Sequence, residues 1–118
     1  MENKITLIIA IVNSGYSEKL MDVAVSKGAR GGTIFNATGS AGSKVEVLYG
    51  ITINPDKEVA MIIVPNAIAN KILQAIYEEL GPQTEAKAIA FTMPVDEATS
   101  NLANQYVKKT EDTKTKKD

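Results

Sequence analysis

The chain has 118 residues, 44% of them hydrophobic, with 13 basic against 14 acidic side chains and a formal net charge of −1. That balance makes no electrostatic case for a nucleic-acid partner, and the length suits one domain around one ordinary core. Cysteine and histidine are both absent, which excludes disulfides, thiol catalysis, thiolate metal sites, His-based acid–base chemistry, Ser-His-Asp triads and the commonest zinc ligation.

Ile5–Val12 is a β-branched apolar run ending at Asn13-Ser-Gly15, the pattern of a buried strand. It is far too short to span a bilayer. One preceding lysine and no small-residue cleavage site make a signal peptide unexpected, so a cytoplasmic protein without membrane insertion is expected. Ser17 is the expected cap of a helix carrying Leu20, Val23 and Ala24, which Gly28 stops. Thr33–Ala37 is short and β-prone. A loop of small residues follows from Gly39, then an apolar alternation through Val45, Val47, Leu48, Ile51 and Ile53, closed by Asn54-Pro-Asp56.

Val59–Val64 predicts a second buried strand. Pro65 is expected in the first turn of the next helix, with Asn66 nearby as a cap. Apolar residues at 68, 72, 73, 76, 77 and 80 predict a helix over Ala67–Leu80, ended by Gly81-Pro82. Gly81–Lys87 is a polar loop. Ala88–Met93 predicts a further strand ending at Pro94, and residues 95–107 a short strand and a helical turn. The tail, 108–118, carries five Lys against three acids and is too polar to build a core, which leaves a disordered solubilising end.

The order β-α-β-β-α-β specifies an α+β, ferredoxin-like split βαβ fold: an antiparallel four-stranded sheet with two helices on one face. The domain is expected over 1–107. Two helices cover one face only, and Ile, Val and Met fill continuous strand runs, so self-association is the simplest cover for the other.

The stretch Lys27–Gly42 is the most suggestive chemically. Glycines at 28, 31 and 32 let the backbone turn tightly with uncovered N–H groups, and Arg30 adds a fixed cation. A bare backbone beside a guanidinium suits an anionic small molecule such as a nucleotide phosphate. A dinucleotide fingerprint is excluded, because that motif follows a strand and opens a helix, the reverse of the order here. The long loop over 39–56 exceeds the roughly 12–15 residues at which structureless connections become uncommon, and its alternating apolar residues suggest a hairpin extension or a docking surface. Paired acids at Glu78-Glu79 and Asp96-Glu97 do not face each other across a substrate. No catalytic constellation is found, and no enzyme is expected.

The chain resembles the PII signalling family, in its PII-like branch. The resemblance is carried by Gly-Ala-Arg-Gly-Gly-Thr-Ile at 28–34, the small-residue loop from Gly39, Tyr-Gly-Ile at 49–51 and Pro-Asp-Lys-Glu-Val at 55–59. Ile-Ile-Val-Pro at 62–65 and Ala-Ile-Ala-Phe-Thr-Met-Pro-Val at 88–95 complete it, spread in order over residues 4–97. It implies a cytoplasmic homotrimer for signal transduction and nitrogen regulation, with nucleotide sites in the clefts between subunits. It further implies a T-loop, about 39–56, docking on a target such as a membrane transporter or a metabolic enzyme.

Carried over by residue, the resemblance puts Arg30, Gly31, Gly32, Thr33 and Gly39 beside the nucleotide, offers backbone groups of Ile63 and Val64 to the adenine, and makes Lys87 the phosphate cation of a second loop, 81–87. Lys44, Val47, Leu48, Tyr49 and Ile51 would form the partner-docking part of the T-loop. Lys57 and Glu58 are expected as exposed charge. Tyr49 lacks the arginine that follows the modified tyrosine of regulatory PII proteins, so an ordinary loop tyrosine is the simpler expectation. Thr84-Glu-Ala-Lys-Ala88 in the second loop lacks the glycines and aspartate of regulatory PII proteins, the segment after Val95 lacks their phosphate-gripping arginines, and Met61 replaces their third-strand glutamate. Tight ATP binding and 2-oxoglutarate sensing are thus not implied; ADP, AMP or another anion fits as well. The alternative is another ferredoxin-like small-molecule binder, an amino-acid sensor or a metal-tolerance-type trimer, the latter disfavoured by the missing His and Cys.

Overall fold

The computed structural model describes residues 4–39, 46–48, 51–53 and 56–99. The elements are β1 (Ile5–Asn13), α1 (Ser17–Ser26), β2 (Thr33–Thr38), β3 (Glu46–Leu48), β4 (Ile51–Ile53), β5 (Asp56–Pro65), α2 (Asn66–Leu80) and β6 (Ile89–Val95). The main sheet has the order β2-β5-β1-β6, and every neighbouring pair runs antiparallel. This is the split βαβ fold expected from the order of elements.

The register sorts the strand residues into two faces, because side chains alternate along a strand. Ile8, Ala10 and Val12 of β1 sit opposite Ile62, Ala60 and Glu58 of β5. With Val64 they are directed to the helices, where Leu20 and Val23 of α1 and Ile72, Ile76 and Leu80 of α2 complete the core. Ile8, Ala10, Ala60, Ile62, Val64, Leu20 and Ile72 are fully buried. Among the described residues no helix lies over the other face. There Phe35, Met61, Ile89, Phe91 and Met93 are exposed, with Leu7, Ile9 and Ile11 half-buried between them.

Four expectations shift. The β6 ladder runs through Pro94, which pairs with Thr6. As an edge strand, β6 tolerates a residue without an N–H. Pro65 ends β5 in extended geometry (φ −63°, ψ 149°), and α2 opens at Asn66, whose side-chain oxygen accepts from the Thr6 hydroxyl. Ser17 is the first residue of α1 rather than its cap, and Tyr16 before it supplies no side-chain cap. Glu58 of β5 serves that terminus instead. Tyr77 lies outside the buried stripe of α2, 65% exposed, while Ala69 and Ala75 lie within it.

Within 39–56, β3 and β4 form a separate antiparallel ribbon, with Glu46 opposite Ile53 and Leu48 opposite Ile51. That agrees with the expected hairpin extension. Lys44 and Tyr49 lie outside the described residues, as do the tail and residues 100–107; 96–99 form neither strand nor helix.

Candidate functional site

The Arg30–Thr33 turn sits against the middle of β5. Gly28 has φ +116° and Gly31 φ +144°, backbone geometry that favours glycine. A Cβ at Gly32 would come within 2.9 Å of the Met61 carbonyl oxygen and 3.0 Å of Ile62 Cγ1, so the missing side chain allows a close approach to β5. Thr33 pairs with Met61, where the β2–β5 register ends. Ile63 and Val64 follow two and three residues further along β5, about 7–10 Å at strand spacing. Val64 is fully buried, backbone included, so within one chain it presents no group to a ligand, whereas Ile63 is half-buried. Arg30 through Thr33, Ile63 and Val64 therefore form one neighbourhood.

Gly39 and Lys87 do not join it. Six residue steps along β2 separate Gly39 from Thr33, about 20 Å. At that far end the register aligns Ala37, Lys57 and Asn13 in one row across β2, β5 and β1. The loop 81–87 closes the row, since the Asn13 amide donates to Ala86 O at 2.9 Å. Lys57 Nζ donates to Asn13 Oδ1 at 2.6 Å, and Asn13 Nδ2 donates to Glu85 O at 2.8 Å. The Lys57 stem lies along Gly39, where an added Cβ would fall 2.7 Å from Lys57 Cε. A polar cleft of about 290 Å3 opens here, lined by Ser14, Asn36, Ala37, Thr38, Asp56 and Lys57.

Lys57 and Glu58 are not the simple exposed charges expected of them. Both are half-buried and hold tertiary partners. Glu58 Oε1 accepts the Gly15 amide at 3.1 Å and the Ser17 amide at 3.0 Å, a carboxylate seated at the positive end of α1. Hydrogen bonds from the Ser17 hydroxyl and amide hold the Glu58 carboxyl below its ordinary value. Tyr16 Oη donates to Glu85 Oε1 at 2.9 Å, which holds the phenol above its ordinary 10.0.

Lys87 is exposed and takes φ 46°, turning the chain from buried Ala86 into β6 while the Ala88 amide donates to Leu80 O at 2.7 Å. Two cations, Lys57 and Lys87, thus share this end of the sheet with Asp56, Glu58 and Glu85. Asn13 and Lys57 escaped the sequence reading as site residues, because their partners lie 72 and 44 positions away. The only local hint was an asparagine at a strand end.

A second concavity, about 360 Å3, runs between α2 and the β6 edge and is lined by Asn70, Leu73, Gln74, Ile76, Tyr77, Ala88 and Ala90. Neither cleft holds a nucleophile paired with a base. Among the described residues no group of three His, Cys, Asp or Glu is placed to hold a metal, and no helix is long and apolar enough to cross a membrane.

No protein-family model matches the sequence, and comparison with curated proteins gives no match. Solved structures do match. A PII-like signalling protein from Thermus thermophilus aligns with a TM-score of 0.60 and 24% identity, over 80% of this chain and 90% of that one. GlnK of B. subtilis, solved as an ATP complex, aligns with a TM-score of 0.58 and 13% identity, over 80% of this chain and 84% of that one. Together with the four-stranded order and the two helices on one face, these likenesses show that the chain has the PII-like fold.

Proposed function

We propose that the protein is a PII-type regulator rather than an enzyme. Three copies pack their uncovered sheet faces together, a small anion occupies the seams between them, and the segment around 39–56 carries the signal to a partner protein. The observation that carries this reading is the apolar sheet face bearing Phe35, Met61, Ile89, Phe91 and Met93. Such a contiguous exposed patch marks an interaction surface.

Assembly also answers a geometric difficulty. In one chain the Arg30–Thr33 neighbourhood and the Gly39–Lys87 end stand about 20 Å apart. A seam can bring one copy's turn against another copy's sheet end. An adenine nucleotide is the ligand we favour: the backbone of Ile63 would face the base, and Arg30, Gly31, Gly32, Thr33, Gly39 and Lys87 the ribose and phosphate. The GlnK neighbour was solved with ATP, which supports an adenine nucleotide. Asp56, Glu58 and Glu85 near the two lysines favour a ligand with fewer phosphates, ADP or AMP. Ligand binding would shift the loop between populations through its different contacts with each. A membrane transporter or a metabolic enzyme is the partner class implied by the resemblance.

Thermal unfolding in the presence of AMP, ADP or ATP tests the ligand, since native-state binding raises the melting temperature. A rise of several degrees is expected for at least one. Arg30→Ala should weaken that ligand about tenfold, the loss of one charge-assisted contact, without unfolding the chain. No shift with any nucleotide would defeat the nucleotide assignment.

A further inference from the structure

The side chain of Asn13 joins two loops that lie far apart in sequence. Its oxygen takes the Lys57 ammonium at 2.6 Å, and its amide nitrogen donates to Glu85 O at 2.8 Å. The orientation is forced by chemistry: an ammonium only donates and a carbonyl only accepts. Lys57 lies along Gly39, the last described residue before the long loop, and the Ser14 amide donates to Asp56 O at 3.2 Å, just where the chain returns from it. Glu85 belongs to the loop 81–87, anchored on β1 by the Asn13 amide and Ala86 O.

From this geometry we infer that Asn13 is a mechanical coupler, transmitting the state of loop 81–87 through Lys57 to both feet of the loop at 39 and 56. It is a positioning residue and contacts no ligand in this scheme. An asparagine is the one side chain of this length that offers an acceptor to Lys57 and a donor to Glu85 at once. Anything that draws Lys57 away removes the partner that holds the Asn13 amide in place, and the grip on Glu85 loosens with it. The coupling is built within one chain. It depends on the proposed regulatory function only for its purpose.

Hydrogen exchange on the ligand-free full chain tests it. Lys57→Met keeps an apolar stem beside Gly39 and removes the ammonium. The Thr84 and Ala88 amides, across β1 from residue 57, are then expected to exchange about fivefold faster, the effect of one lost hydrogen bond on local opening. In an Asn13→Ala background the same change should have no further effect on them. Asn13→Asp keeps the acceptor and loses the donor, so it should speed Thr84 and Ala88 while sparing Ala37 and Thr38. Amides in the middle of β1 and β5 control for global destabilisation. Unaltered exchange at Thr84 and Ala88 in Lys57→Met, or additive effects in the double variant, would overturn the coupling. A failure of nucleotides to bind would leave these outcomes untouched.

Discussion

Lys87 occupies the left-handed region, φ 46°, at the one point where the loop 81–87 must swing into β6. Its neighbours leave no latitude: Ala86 is buried and the Ala88 amide is committed to Leu80 O. A glycine would take that backbone without the steric cost, roughly 1 kcal/mol for a residue with a Cβ. A strained non-glycine residue is a pointer to function, and here the side chain kept is an exposed cation. Lys87→Gly is therefore expected to hold or raise the melting temperature by a few degrees while weakening the nucleotide-induced shift. A calorimetric scan with and without ADP reads both quantities. A variant that loses stability and keeps ligand affinity would make Lys87 a structural residue. Gly39 shows the converse: its missing side chain leaves room for the Lys57 stem, whose ammonium is held by Asn13.

At the scale of elements, the joint between β5 and α1 is the most informative. The helix has no side-chain cap of its own, and its first amides turn to Glu58, 41 residues away for the Ser17 contact. This bolts the strand emerging from the long loop to the front of the first helix. Glu58 titrates below its ordinary value in the folded chain, so its stabilisation is present in full above the unfolded-state carboxylate pKa. It fades as pH falls through the lower folded value. Glu58→Ala should cost about 1 kcal/mol at neutral pH, the usual effect of losing an N-terminal cap, and almost nothing once the wild-type carboxyl is protonated. Urea unfolding of both proteins across the acid range checks the convergence. A gap independent of pH would mean that the packing of the side chain, rather than its charge, holds the joint. The β3–β4 ribbon, by contrast, is paired among the described residues only with itself.

At the scale of the whole molecule, the sheet has one face sealed by α1 and α2 and one left apolar. Phe91, 40% exposed, lies on the open face between Ile89 and Met93. Introducing charge there should separate copies without disturbing the sealed core. Phe91→Glu is expected to reduce the sedimentation mass from three chains to one, with the far-ultraviolet circular dichroism spectrum retained. A wild-type protein sedimenting as a single chain would remove the seam site altogether. Local pattern alone determined the order of elements: β-branched runs, a helical stripe from Ile68 to Leu80 and glycine or proline breaks each act within a few residues of sequence, and the split βαβ fold follows from their succession. The glycine turn at 28–32 was legible for the same reason. Strand ends were less so, because whether Pro94 stops a strand depends on its being at the sheet edge. Only tertiary structure decided that Glu58 caps α1, that Asn13 holds Lys57 and Glu85, and that Arg30 lies far from Lys87. Those facts depend on contacts between segments 41 to 72 residues apart, and contacts over such separations are chosen by strand register and the packing of the whole core rather than by neighbouring residues.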